Sequence, residues 1–179
     1  MLAVFVVETN SRNKSDYLYV KKYLDTFFES GNNVVRPIYL GGKDNYKDSS
    51  RLKDIKKLIS KYQSIDRDDE RAVVFYCIDT DDISRGPDAN RNRSKANEIE
   101  DFCRRNGYEF IWFHEVIEQS FVGKRVSDNE KGKAAEQFVK RNLGNLDRSK
   151  LRCGSYSECR PGTSNIDAVL NRYFTGKSA

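Results

Sequence analysis

Glu8 and the run Asp79-Thr80-Asp81-Asp82 are the carboxylates best placed for chemistry, because each follows an apolar run of strand character, LAVFVV (Leu2 to Val7) and AVVFYCI (Ala72 to Ile78). On an extended segment, residues two apart point to the same side, so Asp79 and Asp81 are expected to face one ligand while Thr80 and Asp82 face away. Gathered carboxylates repel one another, and either raised pKa values or a bound cation relieves the repulsion. Mg²⁺ and Mn²⁺ favour such oxygen ligands and commonly bridge one or two carboxylates to a phosphate. Asp and Thr after a strand also make good turn residues and helix caps, a role that needs no ligand.

The elements that must position these residues alternate. The N-terminal run reads as a buried first strand. From Ser15 to Ser30, Leu18, Tyr19, Tyr23, Phe27 and Phe28 recur at helical spacing, and Gly31 supplies a stop. VVRPIYL (Val34 to Leu40) reads as a second strand, at an edge because Pro37 lacks a ladder donor. Leu52, Ile55, Leu58, Ile59 and Tyr62 mark another helix; the third strand follows and should be central; a helix around Ser94 to Arg105 ends at Asn106-Gly107; YEFIWF (Tyr108 to Phe113) is a fourth strand. Strand and helix in strict alternation predict an α/β fold, a mostly parallel sheet with helices on both faces. In such sheets ligands bind at the carboxyl ends of the strands where the winding reverses, here between the first and third strands. The expected organisation is one domain, 1–179, with an α/β core over 1–114 and a helical, basic C-terminal part over 115–179.

A chain of 179 residues fits one hydrophobic core. Although 33% of residues are charged and the mean hydropathy is −0.78, ten Tyr and ten Phe with three Pro argue against disorder. No apolar run approaches the roughly 18 residues of a membrane span, and MLAVFVVETN lacks the basic start of a signal peptide. No membrane association and a cytoplasmic location are expected. Of the four Cys, Cys77 and Cys103 sit in apolar segments, while Cys153 and Cys159 with a single histidine are too few for a zinc site. That histidine, His114, ends the fourth strand and is a candidate acid/base, against the commoner reading as a packing residue. Trp112 reads as core. The net charge of +5 is concentrated from Lys47 to Lys61, from Arg85 to Lys95 and from Lys124 to Arg160, either solvated helix faces or a nucleic-acid track.

A strand ending in Glu followed by a hydrophobic strand ending in Asp-x-Asp resembles the Toprim domain of topoisomerases, primases and OLD-family nucleases. The resemblance implies that Glu8, Asp79 and Asp81 organise Mg²⁺ or Mn²⁺ for phosphodiester chemistry. The chain is most similar to the small RloB-like Toprim proteins of bacterial and phage defence. Ser15-Asp16-Tyr17-Leu18-Tyr19-Val20 is similar to their second acidic segment, which puts Asp16 among the metal ligands; IEQSFVG (Ile117 to Gly123) and PGTSNIDAVLNRYF (Pro161 to Phe174) are similar to later segments of theirs. Here no Gly follows Glu8, the next loop is longer, and Asp16 stands where Glu is usual. The resemblance implies a Mg²⁺-dependent nuclease acting on DNA or RNA; Glu118 is a further candidate catalytic carboxylate, and Lys124 and Arg125 just beyond it are expected either to stabilise phosphate charge or to be solvated surface residues. Without a Walker A motif, any OLD-type ATPase would be a partner protein. Homo-oligomerisation stays open. One alternative is a non-catalytic Toprim-like module that docks on nucleic acid or protein. Another is a haloacid-dehalogenase-type phosphatase with Asp79 as nucleophile and Asp81 as acid/base, a family that would need a later acidic strand end and assigns nothing to Glu8.

Overall fold

The computed structural model describes residues 1–65 and 70–177. Its centre is a four-stranded, all-parallel sheet in the order β2-β1-β3-β4, from β1 (Leu2–Val7), β2 (Val34–Tyr39), β3 (Ala72–Asp79) and β4 (Glu109–Phe113). β1 and β3 are neighbours and β2 is an edge strand, as Pro37 requires.

Continuous apolar strands are explained by helices on both faces. Ala3, Phe5 and Val7 of β1, with Phe75 and Cys77 of β3, face α1 (Ser15–Phe27), α4 (Ile117–Val122), α5 (Lys131–Val139) and α6 (Ile166–Leu170). Leu2, Val4 and Val6, with Val74, Tyr76 and Ile78, face α2 (Ser49–Gln63) and α3 (Ala89–Asn106). Phe5 and Phe75, paired in register, stack with centroids 4.8 Å apart.

The C-terminal part is not a helical extension beside a finished core. Phe121, Phe138, Leu151, Ile166, Val169, Leu170 and Phe174 are buried in the α1-side core, so residues past β4 complete that layer. Asp167 fixes it: fully buried, it accepts from the Tyr23 hydroxyl of α1 and is paired with Arg148 and Arg152.

Strand ends differ from the sequence expectation by one residue, while one end each of α1 and α3 differs by several. α1 stops at Phe27 because Phe28 turns extended, φ −126° and ψ 150°, and sets its ring against Phe174 at 6.1 Å. α3 starts at Ala89, five residues before the first periodic signal at Ser94, because polar side chains anchor its first turns: Asn92 Nδ2 donates to the Asp82 carbonyl and Arg93 Nη2 to that of Ile83.

Candidate functional site

Glu8 follows β1 directly and is half-buried. With Val7 level with Cys77, Glu8 is in phase with the residues facing α2 and α3, whereas Asp79 is in phase with Phe75 and Cys77, which face α1. The two carboxylates therefore approach the sheet edge from opposite faces and meet through the backbone: the Asp79 N–H donates to Glu8 Oε1 at 2.6 Å. Asp79 Oδ1 in turn accepts from the Ile117 N–H at 2.9 Å, which ties β3 to the start of α4.

Asp16 and Glu118 join from the α1 side. Asp16, in the first turn of α1, closes the long loop after β1 by accepting from the Thr9 N–H at 3.1 Å and from the Ser15 hydroxyl at 3.2 Å. Glu118 is 1% exposed, and neither of its carboxylate oxygens has a partner from another residue, among the described residues. Leaving a carboxylate buried and unpaired is costly.

Electrostatics binds these residues into one unit. Burial pushes Glu8 up to about 8, with Asp16 and Asp81 adding to the rise while Lys43 and the Asp79 N–H oppose it. Asp79 is raised well above the usual carboxylate range by burial and by Glu8, Asp16 and Glu118. Burial likewise raises Asp16 and Glu118. Burial and mutual repulsion thus favour the protonated forms of these carboxyls, with which a cation would compete.

Asp81 does not share a face with Asp79 as extended geometry would have it. Its φ is +54°, a left-handed conformation, and its N–H donates to the Glu115 carbonyl at 3.0 Å in an isolated antiparallel bridge, with Glu115 itself at φ +69°. Its carboxylate is paired with Lys43, whose ammonium also lies 3.4 Å from the Asp79 carbonyl. Thr80 is buried, and its hydroxyl donates to the Phe113 carbonyl at 3.2 Å. Asp82 caps the following turn through the N–H groups of Ser84 and Arg85, at 3.0 and 2.9 Å.

Two lysines outside the sequence-derived set flank the carboxylates. Lys43 comes from the turn after β2, on the Glu8 side; no residue pattern marks it beyond its place at the carboxyl edge of the sheet. Lys131 opens α5 on the Asp79 side. Burial works against its charge, yet Glu118, Asp128 and Asp79 raise its pKa above the ordinary lysine range. A signal existed for it: Lys131, Ala135 and Phe138 are spaced i, i+4, i+7, so this lysine falls on the apolar stripe of its helix.

Other candidates lie apart. Lys124 is exposed in a shallow groove with Lys133 and Arg141, and Arg125 is bound to Glu115 at 2.9 Å. His114 is fully buried, its ring nitrogens lacking partners among the described residues, and burial lowers its pKa. It is packed inside rather than presented to the site.

The donor chemistry suits a hard divalent cation: oxygen ligands, protons awaiting displacement, and in Glu118 a buried carboxylate without a partner. Closure around one point is not reached, since no group of three or more His, Cys, Asp or Glu converges at ligand distance among the described residues. Comparison of the chain with protein-family models, with curated proteins and with solved structures finds no match.

Proposed function

We propose that the chain is a Toprim-like, divalent-cation-dependent phosphodiesterase acting on nucleic acid, with the reaction at the carboxyl ends of β1 and β3. One observation carries the reading: Glu8 and Asp79, on neighbouring parallel strands at the point where the winding reverses, are joined across 2.6 Å and both hold raised pKa values. Mg²⁺ or Mn²⁺ there would polarise a phosphate and lower the pKa of an attacking water.

The chain's own residues divide the remaining work. Glu8 and Asp79, with Asp16 and Glu118 behind them, supply the oxygen ligands. Lys43 is within reach of both strand ends and can turn from Asp81 to a phosphate oxygen, which would free Asp81 as a further ligand. Lys131 offsets the charge of Asp16, Asp79 and Glu118. The exposed positions of Lys124 and Arg125 suit the periphery of a bound strand.

A non-catalytic module is the second reading, favoured by the Lys43 pairing of Asp81 and the lack of a closed ligand group among the described residues. The phosphatase alternative is disfavoured, because it assigns nothing to Glu8, whose carboxylate is held by the Asp79 N–H. Labelled DNA and RNA incubated with Mg²⁺, with Mn²⁺ or with chelator decide between them. Cation-dependent cleavage that Asp79→Asn abolishes supports hydrolysis; binding without turnover supports the docking module.

A further inference from the structure

The open edge of the sheet carries a groove between β2 and α2. Its main chamber, about 470 Å³, is lined by Pro37, Ile38 and Leu58 and bordered by Tyr39 at the strand edge. A smaller chamber of about 140 Å³ continues it past Leu2, Val34 and Arg36, sharing Leu58 and Lys61. Arg51, Lys57 and Lys61 of α2 form a basic rim opposed by one carboxylate among the described residues, Asp54, which lies 3.6 Å from Arg51.

The groove adjoins the carboxylates. The Gly42 N–H donates to the Glu8 carbonyl at 2.8 Å and the Gly41 N–H to that of Thr9 at 3.3 Å, so the loops after β1 and β2 are stitched together. Asn10, Ser11 and Gly41 of those loops line the groove. Asn10, two residues beyond Glu8, places its Cα no more than about 7 Å from that of Glu8.

We propose that this groove seats one unpaired nucleotide of a single-stranded nucleic acid and delivers the adjoining phosphodiester to the Glu8 edge. The proposal rests on the phosphodiesterase reading for its second half and on the groove alone for its first. The rim supplies cations for the phosphates. The apolar floor of Ile38 and Leu58 gives a base a surface to lie against, which only a strand with free bases can use, while the Tyr39 ring is turned to Tyr17 on the α1 side. A duplex keeps its bases stacked inside and would leave that floor uncovered. The chamber is within the size range of small-ligand sites, roughly 300–1,000 Å³. Asn10 Oδ1 is occupied by the N–H groups of Arg12 and Asn13, at 3.0 and 2.8 Å, which leaves its amide nitrogen to donate to a base.

The test is fluorescence anisotropy on the full chain in EDTA, where hydrolysis is blocked, with labelled 12-nucleotide single-stranded DNA, the same sequence as RNA, and a blunt DNA duplex. Either single strand should bind at least about tenfold more tightly than the duplex. Exposed Lys57 and Lys61 can change without disturbing the core, so Lys57→Glu/Lys61→Glu should melt like wild type yet lose about tenfold or more in single-strand affinity at low salt. Leu58→Glu, which sets a charge on the floor, should lose at least as much. Equal binding of duplex and single strand, or wild-type binding by the double variant, overturns the proposal. A parallel cleavage assay with Mn²⁺ separates the two readings. Groove variants that weaken binding to a wild type unable to cleave would leave the groove standing and remove the hydrolysis. A cleaving wild type matched by its groove variants would do the reverse.

Discussion

Glu8 Oε1 accepts the Asp79 backbone N–H at 2.6 Å, so the end of one strand holds the carboxylate of its neighbour while the Asp79 carboxyl lies toward the opposite face of the sheet. Each carboxylate can be altered without breaking this contact completely: Asp79→Asn keeps its N–H, and Glu8→Gln keeps an acceptor oxygen. Without metal, both variants should melt at or above the wild-type temperature, because each replaces a carboxyl whose ionisation burial and its neighbours disfavour with a neutral amide. With Mn²⁺ at about 100 times its Kd, the wild type should gain about 2.7 kcal/mol, roughly 5–10 °C for a chain of this size. Neither variant should gain it. A shift shared by all three proteins in scanning calorimetry would refute the site.

The raised carboxyl groups make metal-free stability fall as pH rises. In the folded chain Glu8 holds its proton to about 8, while unfolded it ionises near 4.3, so the folded state binds more protons across that interval. Asp79, Asp16 and Glu118 act in the same direction. His114, its pKa lowered by burial, acts oppositely but only below its unfolded value near 6.5. Urea midpoints in EDTA should therefore decline from pH 6.5 to 8, and Asp79→Asn should flatten the decline. Midpoints that rise over this interval would mean that the carboxylates are ionised in the native state.

Lys43 pairs with the Asp81 carboxylate and so competes with any cation for it. Replacement by Met keeps its length and removes its charge, which leaves Asp81 unpaired beside Glu8. Mn²⁺ should then bind Lys43→Met at least as tightly as wild type by titration calorimetry, while cleavage falls by about 100-fold if the ammonium serves the phosphate. Weaker cation binding together with unchanged cleavage would assign Lys43 to packing alone.

Much of the sheet was legible because its signals are local. Pro37 marked the edge, the two apolar runs marked β1 and β3, and alternation with helices implied their adjacency. The site was legible only in part. Glu8 and Asp79 could be placed from strand ends, but the common face assumed for Asp79 and Asp81 required an extended chain. The bridge to Glu115 instead puts Asp81 in the left-handed region. Lys43 reaches the site through the fold of a turn, a long-range effect with no periodicity to betray it. Lys131 did leave a trace, a cation on an apolar helical stripe, which becomes meaningful once the unpaired Glu118 is seen.

Asp167 illustrates the same limit and gives a test of the fold. In the sequence it is one acidic residue near the start of a short helix, yet it is fully buried among Tyr23, Arg148 and Arg152. Burial alone would raise its pKa, but the Tyr23 hydroxyl and the two guanidinium groups hold it below the usual range. Its contribution is thus present above the unfolded value near 3.9 and lost as pH falls through the folded one. Asp167→Ala leaves a buried hydroxyl and two arginines without their shared acceptor, and removing one partner from such a pair costs about 3–5 kcal/mol. The two arginines are only partly covered, 27% and 56% exposed, so the lower end of that range is expected, with a fall of about 6–12 °C in Tm. A loss below about 1 kcal/mol in thermal unfolding would show that the C-terminal layer is held by its apolar contacts alone.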